Sequence, residues 1–186
     1  GPDDDIIDNI CSSLAKSMMV RRVSIMFFDE KEGRLAIESS VGLPQSVVNS
    51  HDISLNGSIA GHVFRSGDPM MVSDIRKEIP GEMISGGRDY ATDSFISVPI
   101  QYKNATIGVL SCADKINGRD FDSFDLRIVT TVCSQVSQVY NNILNQRLTE
   151  AQRMLSRDID IAAEIQRKIL RGIPDTFGRH VLSVFN

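Results

Sequence analysis

An amphipathic pattern begins near Ser123 and runs almost to the end of the sequence, where Gly172 and Pro174 interrupt it. Apolar residues recur in it every three or four positions, as they do along one face of an α-helix. The spacing is close to a heptad repeat with one five-residue step, from Ile143 to Leu148. The sequence therefore predicts one long helix with an apolar stripe, formed by Val129, Val132, Val136, Val139, Ile143, Leu148, Leu155, Ala162 and Ile169.

Such a helix is too long for a small domain to cover. It would contain about 45 residues, and each residue adds about 1.5 Å along the axis. The protruding apolar stripe must be buried by something, and the same helix of a second copy is the simplest partner. We therefore expect a homodimer. The five-residue step marks either an ordinary irregularity in a packed helix or a place where the helix changes register.

The sequence before Ser123 alternates between helical and strand patterns. A first amphipathic helix is predicted from Asp5 to about Val20, followed by a β-hairpin from about Arg22 to Val41. Short helices are expected near 43–49 and 59–64, and Gly67 is expected to cap the second one. The segment MMVS predicts a short strand.

The remaining part of this region ends in a second hairpin. Residues 75–93 show no periodicity, and a long irregular stretch inside a compact domain is usually functional or mobile. SFISVPIQY and TIGVLSCAD then form two strands joined by a short turn. These elements predict an α+β fold with an antiparallel sheet flanked by helices.

Composition excludes several function classes. A net charge of −4 and a pI near 5.4 argue against binding to nucleic acid, whose phosphates require a basic face. No apolar run approaches the roughly 20 residues of a membrane helix, and no secretory signal is visible, so we expect a cytoplasmic protein without a membrane partner. The opening Gly-Pro resembles a protease scar, so residues 1–4 are expected to be a tag remnant.

Cysteine and histidine residues form no recognisable site. Cys11, Cys112 and Cys133 lie far apart in sequence without metal-ligand spacing, so we expect reduced thiols and no zinc site. The histidines at positions 51, 62 and 180 are also dispersed. No catalytic constellation is visible, and we predict no catalytic residue, metal or cofactor in this chain.

The order of elements resembles the GAF domain family of small cytoplasmic sensor modules. The resemblance rests on SIMFFDEKEGRLAIESSVGLP, LNGSIAGHVFRSGDPMMVSDI and SFISVPIQYKNATIGVLSCADKINGRDFDSFDL, which together lie within residues 5–145. The glycine-rich block G-S-I-A-G-x-V-x-x-S-G-x-P in the second segment is specific for this fold, but not for a ligand. The resemblance implies a regulatory sensor or dimerisation domain over residues 5–145.

The end of the chain is similar to the entry into stage II sporulation protein E-like, PPM-type serine/threonine phosphatases. Ala162, Ile165, Gln166 and Leu170 fit that pattern, whereas Arg171 stands where the family has proline. The resemblance implies a signalling helix over 146–172 and the first strand of a truncated phosphatase domain over 173–186. It also implies Mn or Mg ions in the missing domain and a phosphoprotein substrate, such as an anti-sigma-factor antagonist, for the full-length protein. Parallel helices would place two such domains side by side.

Some GAF domains bind cyclic nucleotides through an Asn-Lys, Phe-x-x-x-Asp-Glu motif. Asp114, Lys115, Phe121, Asp125 and Leu126 occupy its places here, and two of the five depart from it. We interpret Lys115 and Asp125 as an ion pair that joins the last strand to the long helix rather than as nucleotide contacts.

A ligand pocket is expected between one face of the sheet and the irregular segment 75–93. Its predicted lining is Phe28, Phe64, Met71, Met83, Ile96 and Ser111, although the same residues could simply fill the core. The leading hypothesis is a sensor and dimerisation module with an unknown small-molecule ligand, which controls a phosphatase through the long helix. The alternatives are a constitutive scaffold without a ligand and a cyclic-nucleotide-binding domain.

Overall fold

The computed structural model describes residues 4–50, 53–79 and 93–171, with side chains over 5–48, 53–79 and 93–169. The chain divides into two units, Gly1–Asn141 and Asn142–Asn186. The elements in chain order are α1 Asp4–Ser17, β1 Val20–Asp29, β2 Arg34–Val41, α2 Gln45–Ser50, α3 Ile59–Ser66, β3 Met70–Val72, α4 Ile75–Glu78, β4 Phe95–Tyr102, β5 Ala105–Lys115 and α5 Ser123–Arg171.

The five strands form one sheet in the order β2-β1-β5-β4-β3, and every neighbouring pair is antiparallel. Both predicted hairpins, β1-β2 and β4-β5, are present. The predicted α+β fold with flanking helices and a long C-terminal helix is confirmed. Residues 75–78, expected to be irregular, instead form the single turn α4, because the Asp74 side chain accepts a hydrogen bond from the Arg76 amide and caps it.

One face of the sheet is covered by α1 and the first part of α5. Val23, Ile25 and Leu110 are fully buried on this face. The Phe27 ring stacks on Tyr140 of α5, with centroids 3.6 Å apart, and the Ser137 hydroxyl donates to the Gln101 carbonyl at 2.8 Å. This face is therefore a buried core that attaches α1 and the first part of α5 to the sheet.

The opposite face packs against α3 and the chain on either side of it. Two apolar clusters lie there, one around Met26, Leu35 and Val63, the other around Val72, Ile75 and Phe95. Ala60 belongs to the first cluster and Ile59 to the second, so α3 contributes to both.

The predicted stripe of α5 contains residues with two different roles. Val129 and Val136 are 0% exposed, because the sheet of their own domain covers them, so they are not available to a second copy. Ile143 is also buried, whereas Val132 and Val139 are partly exposed. The prediction for the dimer helix is corrected at two residues. Val129 and Val136 belong to the core of their own domain, because residues that pack against a sheet recur along a helix at nearly the spacing of an interhelical seam.

In the second unit, the described residues 142–171 are helical throughout. The helix continues through the five-residue step at 143–148 without interruption. From Leu148 to Ile169, its large apolar side chains are exposed by half or more, and they are Leu148, Met154, Leu155, Ile159, Ile161, Ile165 and Ile169. Ala162 is exposed as well. The expected phosphatase strand, 173–186, lies outside the described residues.

Candidate ligand-binding cavity

A cavity of about 130 Å³ lies on the sheet face that packs against α3. The sheet forms its floor, α3 and Ile53 form one wall, and the segment 43–47, which includes the start of α2, forms another. The lining residues are Arg22, Val23, Ser24, Met26, Ile37, Leu43, Pro44, Val47, Ile53, Ile59, Ala60, Phe95, Ser111, Cys112 and Ala113.

The floor is hollow because small side chains meet in one row across four strands. Strand register places Ser40 opposite Ser24, Ser24 opposite Ser111, and Ser111 opposite Ser97. We call these four residues the serine row. Directly opposed residues in antiparallel strands share a face of the sheet. Since serine is much smaller than the branched residues typical of strands, the row leaves space above it.

The serine row also contributes polar groups to the cavity. Ser24 and Ser111 line it directly, and the Ser111 and Ser97 hydroxyl oxygens lie 2.8 Å apart in a hydrogen bond. Ser97 is 0% exposed, so this hydrogen bond satisfies a hydroxyl that has no access to water.

Arg22 provides the charge of the cavity. It is the one charged side chain among the described residues that line it. Its Nε lies 3.0 Å from Oδ2 of Asp114, whose side chain is only 1% exposed, whereas the Arg22 side chain is 20% exposed. Asp114 has a φ of 62°, a left-handed conformation that Asp tolerates better than most residues. The ion pair therefore connects the cavity to the end of β5.

The α3 wall is fixed by its caps and by a close approach to the preceding loop. The Ser58 hydroxyl accepts a hydrogen bond from the Gly61 amide at 3.0 Å and caps the N-terminus. Gly67, with a φ of 70°, caps the other end as predicted. The Arg65 guanidinium donates to the Leu55 carbonyl and to Oδ1 of Asn56, so the loop 54–56 is attached to α3.

The predicted ion pair between Lys115 and Asp125 is confirmed. Their charged atoms lie 2.5 Å apart, and each side chain is 10% exposed. Oδ2 of Asp125 also accepts the Asp122 amide at 2.9 Å. Asp122 in turn accepts the Asp125 and Phe124 amides, and these hydrogen bonds, led by the Asp125 amide, lower the pKa of Asp122. This network joins the end of β5 to the start of α5, which supports the structural interpretation of Lys115.

The structure separates the residues predicted to line a pocket. Ser111 lines the cavity. The Phe28 and Phe64 rings, 4.8 Å apart, pack on each other beside the Met26 cluster. Met71 is exposed, and Ile96 is buried, with its strand partner Cys112, on the face that α1 and α5 cover. Met83 lies outside the described residues.

The prediction missed Arg22 and Ser24, although a signal for both was present. In RRVSIMFF, alternation places Arg22, Ser24 and Met26 on one face of β1. Two polar residues on a face that also carries buried apolar residues indicate a cavity or a buried polar contact. Phe95, Ala113 and the segment 43–47 carried no comparable signal.

The three thiols lie in the core and show no activation. Cys11, Cys112 and Cys133 are buried and reduced. Burial raises the pKa of Cys11 to about 11 and that of Cys133 to about 12, and it raises the pKa of Cys112 well above its ordinary value. His62 is exposed on α3, and His51 and His180 lie outside the described residues. Within the described ranges, no group of three or more His, Cys, Asp or Glu side chains could hold a metal ion.

A second concave surface lies between α1 and the first part of α5. Ile6, Ile10 and Leu14 of α1 face Ile128 and Val132 of α5 across a shallow groove of about 430 Å³. Ile6 is 43% exposed, so the groove presents apolar area at the surface. In the part of the chain that the structure describes, no helix combines the length and apolarity needed to cross a membrane.

Two curated relatives are a nitrogen fixation protein and a Nif-specific regulatory protein. The chain is 26% identical over 159 residues to the nitrogen fixation protein VnfA of Azotobacter vinelandii, which covers 81% of this chain and 30% of VnfA. It is 25% identical over 160 residues to the Nif-specific regulatory protein of Herbaspirillum seropedicae, and this alignment covers 81% of this chain and 29% of that protein. The chain thus spans less than a third of the length of either relative.

Solved structures share the fold. The GAF domain from an Acinetobacter phosphoenolpyruvate-protein phosphotransferase superposes with a TM-score of 0.66 at 26% identity, covering 75% of this chain and 82% of that one. A type II free methionine-R-sulfoxide reductase from Thermoplasma acidophilum superposes with a TM-score of 0.62 at 16% identity, covering 74% of this chain and 91% of that one. At this identity the likeness shows the fold alone. The family model described as GAF domain matches residues 3–140. The five-stranded sheet, its flanking helices and this match together show that the chain belongs to the GAF domain family.

Proposed function

We propose that this chain is a regulatory sensor module that dimerises through the second half of α5 and transmits the state of its cavity to an output domain. The observation that carries the proposal is the exposed apolar stripe of residues 144–169. Leu148, Leu155, Ala162 and Ile169 recur every seven residues, which suits a coiled-coil seam. The opposite side of the helix carries charged residues, among them Arg153, Arg157 and Glu164.

A second copy is the partner that best explains this stripe. The described 142–171 segment is about 45 Å long at about 1.5 Å per residue, so two copies side by side could bury each other's stripes along their length. Parallel helices would bring two output domains to one end of the dimer.

The output domain we propose is a PPM-type serine/threonine phosphatase. The support is the resemblance of residues 162–170 to the helix that enters such domains. Mn or Mg ions and a phosphoprotein substrate would then belong to residues beyond this chain. A longer chain of the same protein should hydrolyse a phosphoserine peptide only in the presence of one of these ions. Metal-independent activity, or none, would contradict the phosphatase part of the proposal.

The size of the cavity favours a small ligand over a cyclic nucleotide. Sites for drug-sized ligands usually occupy about 300–1,000 Å³, and this cavity occupies about 130 Å³. In addition, Lys115, which stands at a nucleotide-motif position, is engaged by Asp125.

The dimer is tested by native mass spectrometry of matched double variants. Leu148→Ser with Leu155→Ser removes two stripe residues per chain, and the dimer dissociation constant should rise by about a hundredfold or more, since burial of one leucine contributes about 1.5–3 kcal/mol. Arg153→Ser with Arg157→Ser introduces two serines on the charged side and should leave the dimer intact. Equal dimer fractions in both variants, or a monomeric unmodified chain, would contradict the proposed interface.

A further inference from the structure

We propose that the cavity binds a small carboxylate, whose charged group contacts Arg22 and whose apolar body lies toward Met26, Ile37 and Ile53. The proposal rests on the proposed sensor function and specifies the chemical class of its ligand. It further assigns Asp114 as the internal competitor of that ligand for Arg22.

The volume limits the size of the occupant. At about 130 Å³, the cavity is slightly smaller than an engineered protein cavity of roughly 150 Å³ that binds benzene. A short aliphatic acid fits this volume, whereas a nucleotide or a peptide does not.

The arrangement of polar and apolar groups sets the orientation. Arg22, Ser24 and Met26 follow one another on the same face of β1, so the floor changes from charged to hydroxyl to apolar along the strand. Ile37 and Ile53 line the cavity on the Met26 side, since Ile37 is the β2 partner of Met26 and Ile53 packs in the same cluster. A molecule with one anionic end and one aliphatic end matches this gradient.

The charge of Arg22 is already shared with a buried partner. A guanidinium has five N–H donors, so one arginine can contact more than one carboxylate, and Asp114 engages Arg22 at Nε. Because Asp114 partly neutralises Arg22, a bound carboxylate should weaken the attraction between Arg22 and Asp114. We expect weak to moderate affinity for the same reason.

Asp114 lies next to the connection that leads to α5. Its neighbour Lys115 pairs with Asp125 in the first turn of α5. A shift of Asp114 on ligand binding would therefore act on the Lys115–Asp125 contact directly, through one peptide unit. This short path is the route by which occupancy of the cavity would change the start of the long helix.

The test is an NMR titration of the full chain with acetate, propionate, butyrate and isovalerate, each beside its uncharged amide, and with inorganic phosphate. We expect at least one carboxylate to give saturable shifts at the Ser24 and Ser111 amides, while its amide and phosphate bind at least about tenfold more weakly. No saturation by any carboxylate, or equal binding of the matched amide, would overturn the proposal. Equal binding of phosphate would also overturn it, since it would indicate a general oxyanion site.

Variants distinguish a specific site from a nonspecific effect. Arg22→Met together with Asp114→Asn removes both charges of the ion pair at once, so neither is left without the other, and binding should weaken about tenfold or more. Asp114→Asn alone removes the competitor and should tighten binding several-fold. Ala113→Val fills the cavity and should abolish binding while Arg22 stays in place. Unchanged affinity in the Arg22→Met/Asp114→Asn or the Ala113→Val protein, or weaker binding by the Asp114→Asn protein, would refute the assignment.

The same samples separate this inference from the proposed function. A dimer that binds no carboxylate overturns the ligand class and leaves the dimeric module standing. A monomer that binds a carboxylate confirms the site and contradicts the dimer. Saturation of the cavity without any shift in the amides of 122–130 would contradict the path to α5.

Discussion

Replacement of Gly61 by alanine tests which of two opposing effects dominates in α3. Alanine is the better helix former and would by itself add about 1 kcal/mol of stability. However, a Cβ at position 61 would lie 2.1 Å from the Leu55 carbonyl oxygen and 2.6 Å from the Leu55 Cα. Both are backbone atoms, so no side-chain rotation can relieve the overlap.

The size of the overlap determines the expected loss. Contacts of a real Cβ rarely fall below 3.0 Å, so α3 and the loop 54–56 would have to separate by roughly 1 Å. The Arg65 contacts to Leu55 and Asn56 oppose that movement. Overpacking of this kind usually costs about 1–3 kcal/mol or more. Because the overlap is with backbone atoms, the loss should lie near the upper end of this range, at about 3 kcal/mol. The helix-propensity gain of about 1 kcal/mol then leaves a net loss of about 2 kcal/mol, or roughly 4–8 °C in Tm.

Urea denaturation followed by circular dichroism measures this loss, with Gly33→Ala as the control. Gly33 also adopts a special conformation, with a φ of 64°, but a Cβ there would meet nothing within 4 Å. The control should lose about 1 kcal/mol from backbone strain alone. A Gly61→Ala protein that is as stable as the unmodified chain, or more stable, would show that helix propensity prevails and that the close approach is not a constraint.

Three further predictions concern the core. Lys115→Met leaves the nearly buried carboxylate of Asp125 without its partner and should lower the free energy of unfolding by about 3 kcal/mol in the same urea assay. The double variant Lys115→Met/Asp125→Asn should recover part of that loss. Equal stability of the two variants would contradict a pairing role. Burial raises the folded-state pKa of Cys11 from 9.0 to about 11. The contribution of the protonated Cys11 thiol to stability is therefore fully present below pH 9 and is lost as pH rises through about 11. The free energy of unfolding should fall over that interval. A thiol reagent at pH 8 should label the folded chain slowly and the unfolded chain at three sites, and rapid labelling of the folded chain would contradict the burial of the thiols.

Local patterns were sufficient to predict most of the fold. The alternation in β1 and β2, the glycine at position 67 and the helical spacing after Ser123 each express a preference of a short segment, and the structure retains them. The Lys115–Asp125 pair was predictable for a related reason, since both residues lie close to the turn that joins β5 to α5.

The cavity could not be predicted in the same way, because strands from distant parts of the sequence form its floor. Ser24 and Ser111 are adjacent only through the register of β1 with β5, and Ser97 only through that of β4 with β5. The Arg22–Asp114 pair depends on the same register and on the left-handed backbone of Asp114. The apolar stripe of α5 was assigned to a dimer seam along its whole length, although Val129 and Val136 are buried in their own domain. The spacing along a helix is nearly the same for residues buried against a sheet and for residues buried against a second helix.

The serine row has a consequence for how long the protein survives in its folded state. A row of serines where strands usually carry branched residues leaves van der Waals contacts unmade, so the domain is less stable than its sheet would allow. Any molecule that fits the space restores those contacts and stabilises the folded chain by mass action, by about 2.7 kcal/mol at a concentration one hundred times its dissociation constant. The fraction of unfolded chains exposed to proteases then falls as the concentration of that molecule rises. The amount of folded protein should therefore rise with the concentration of the bound molecule.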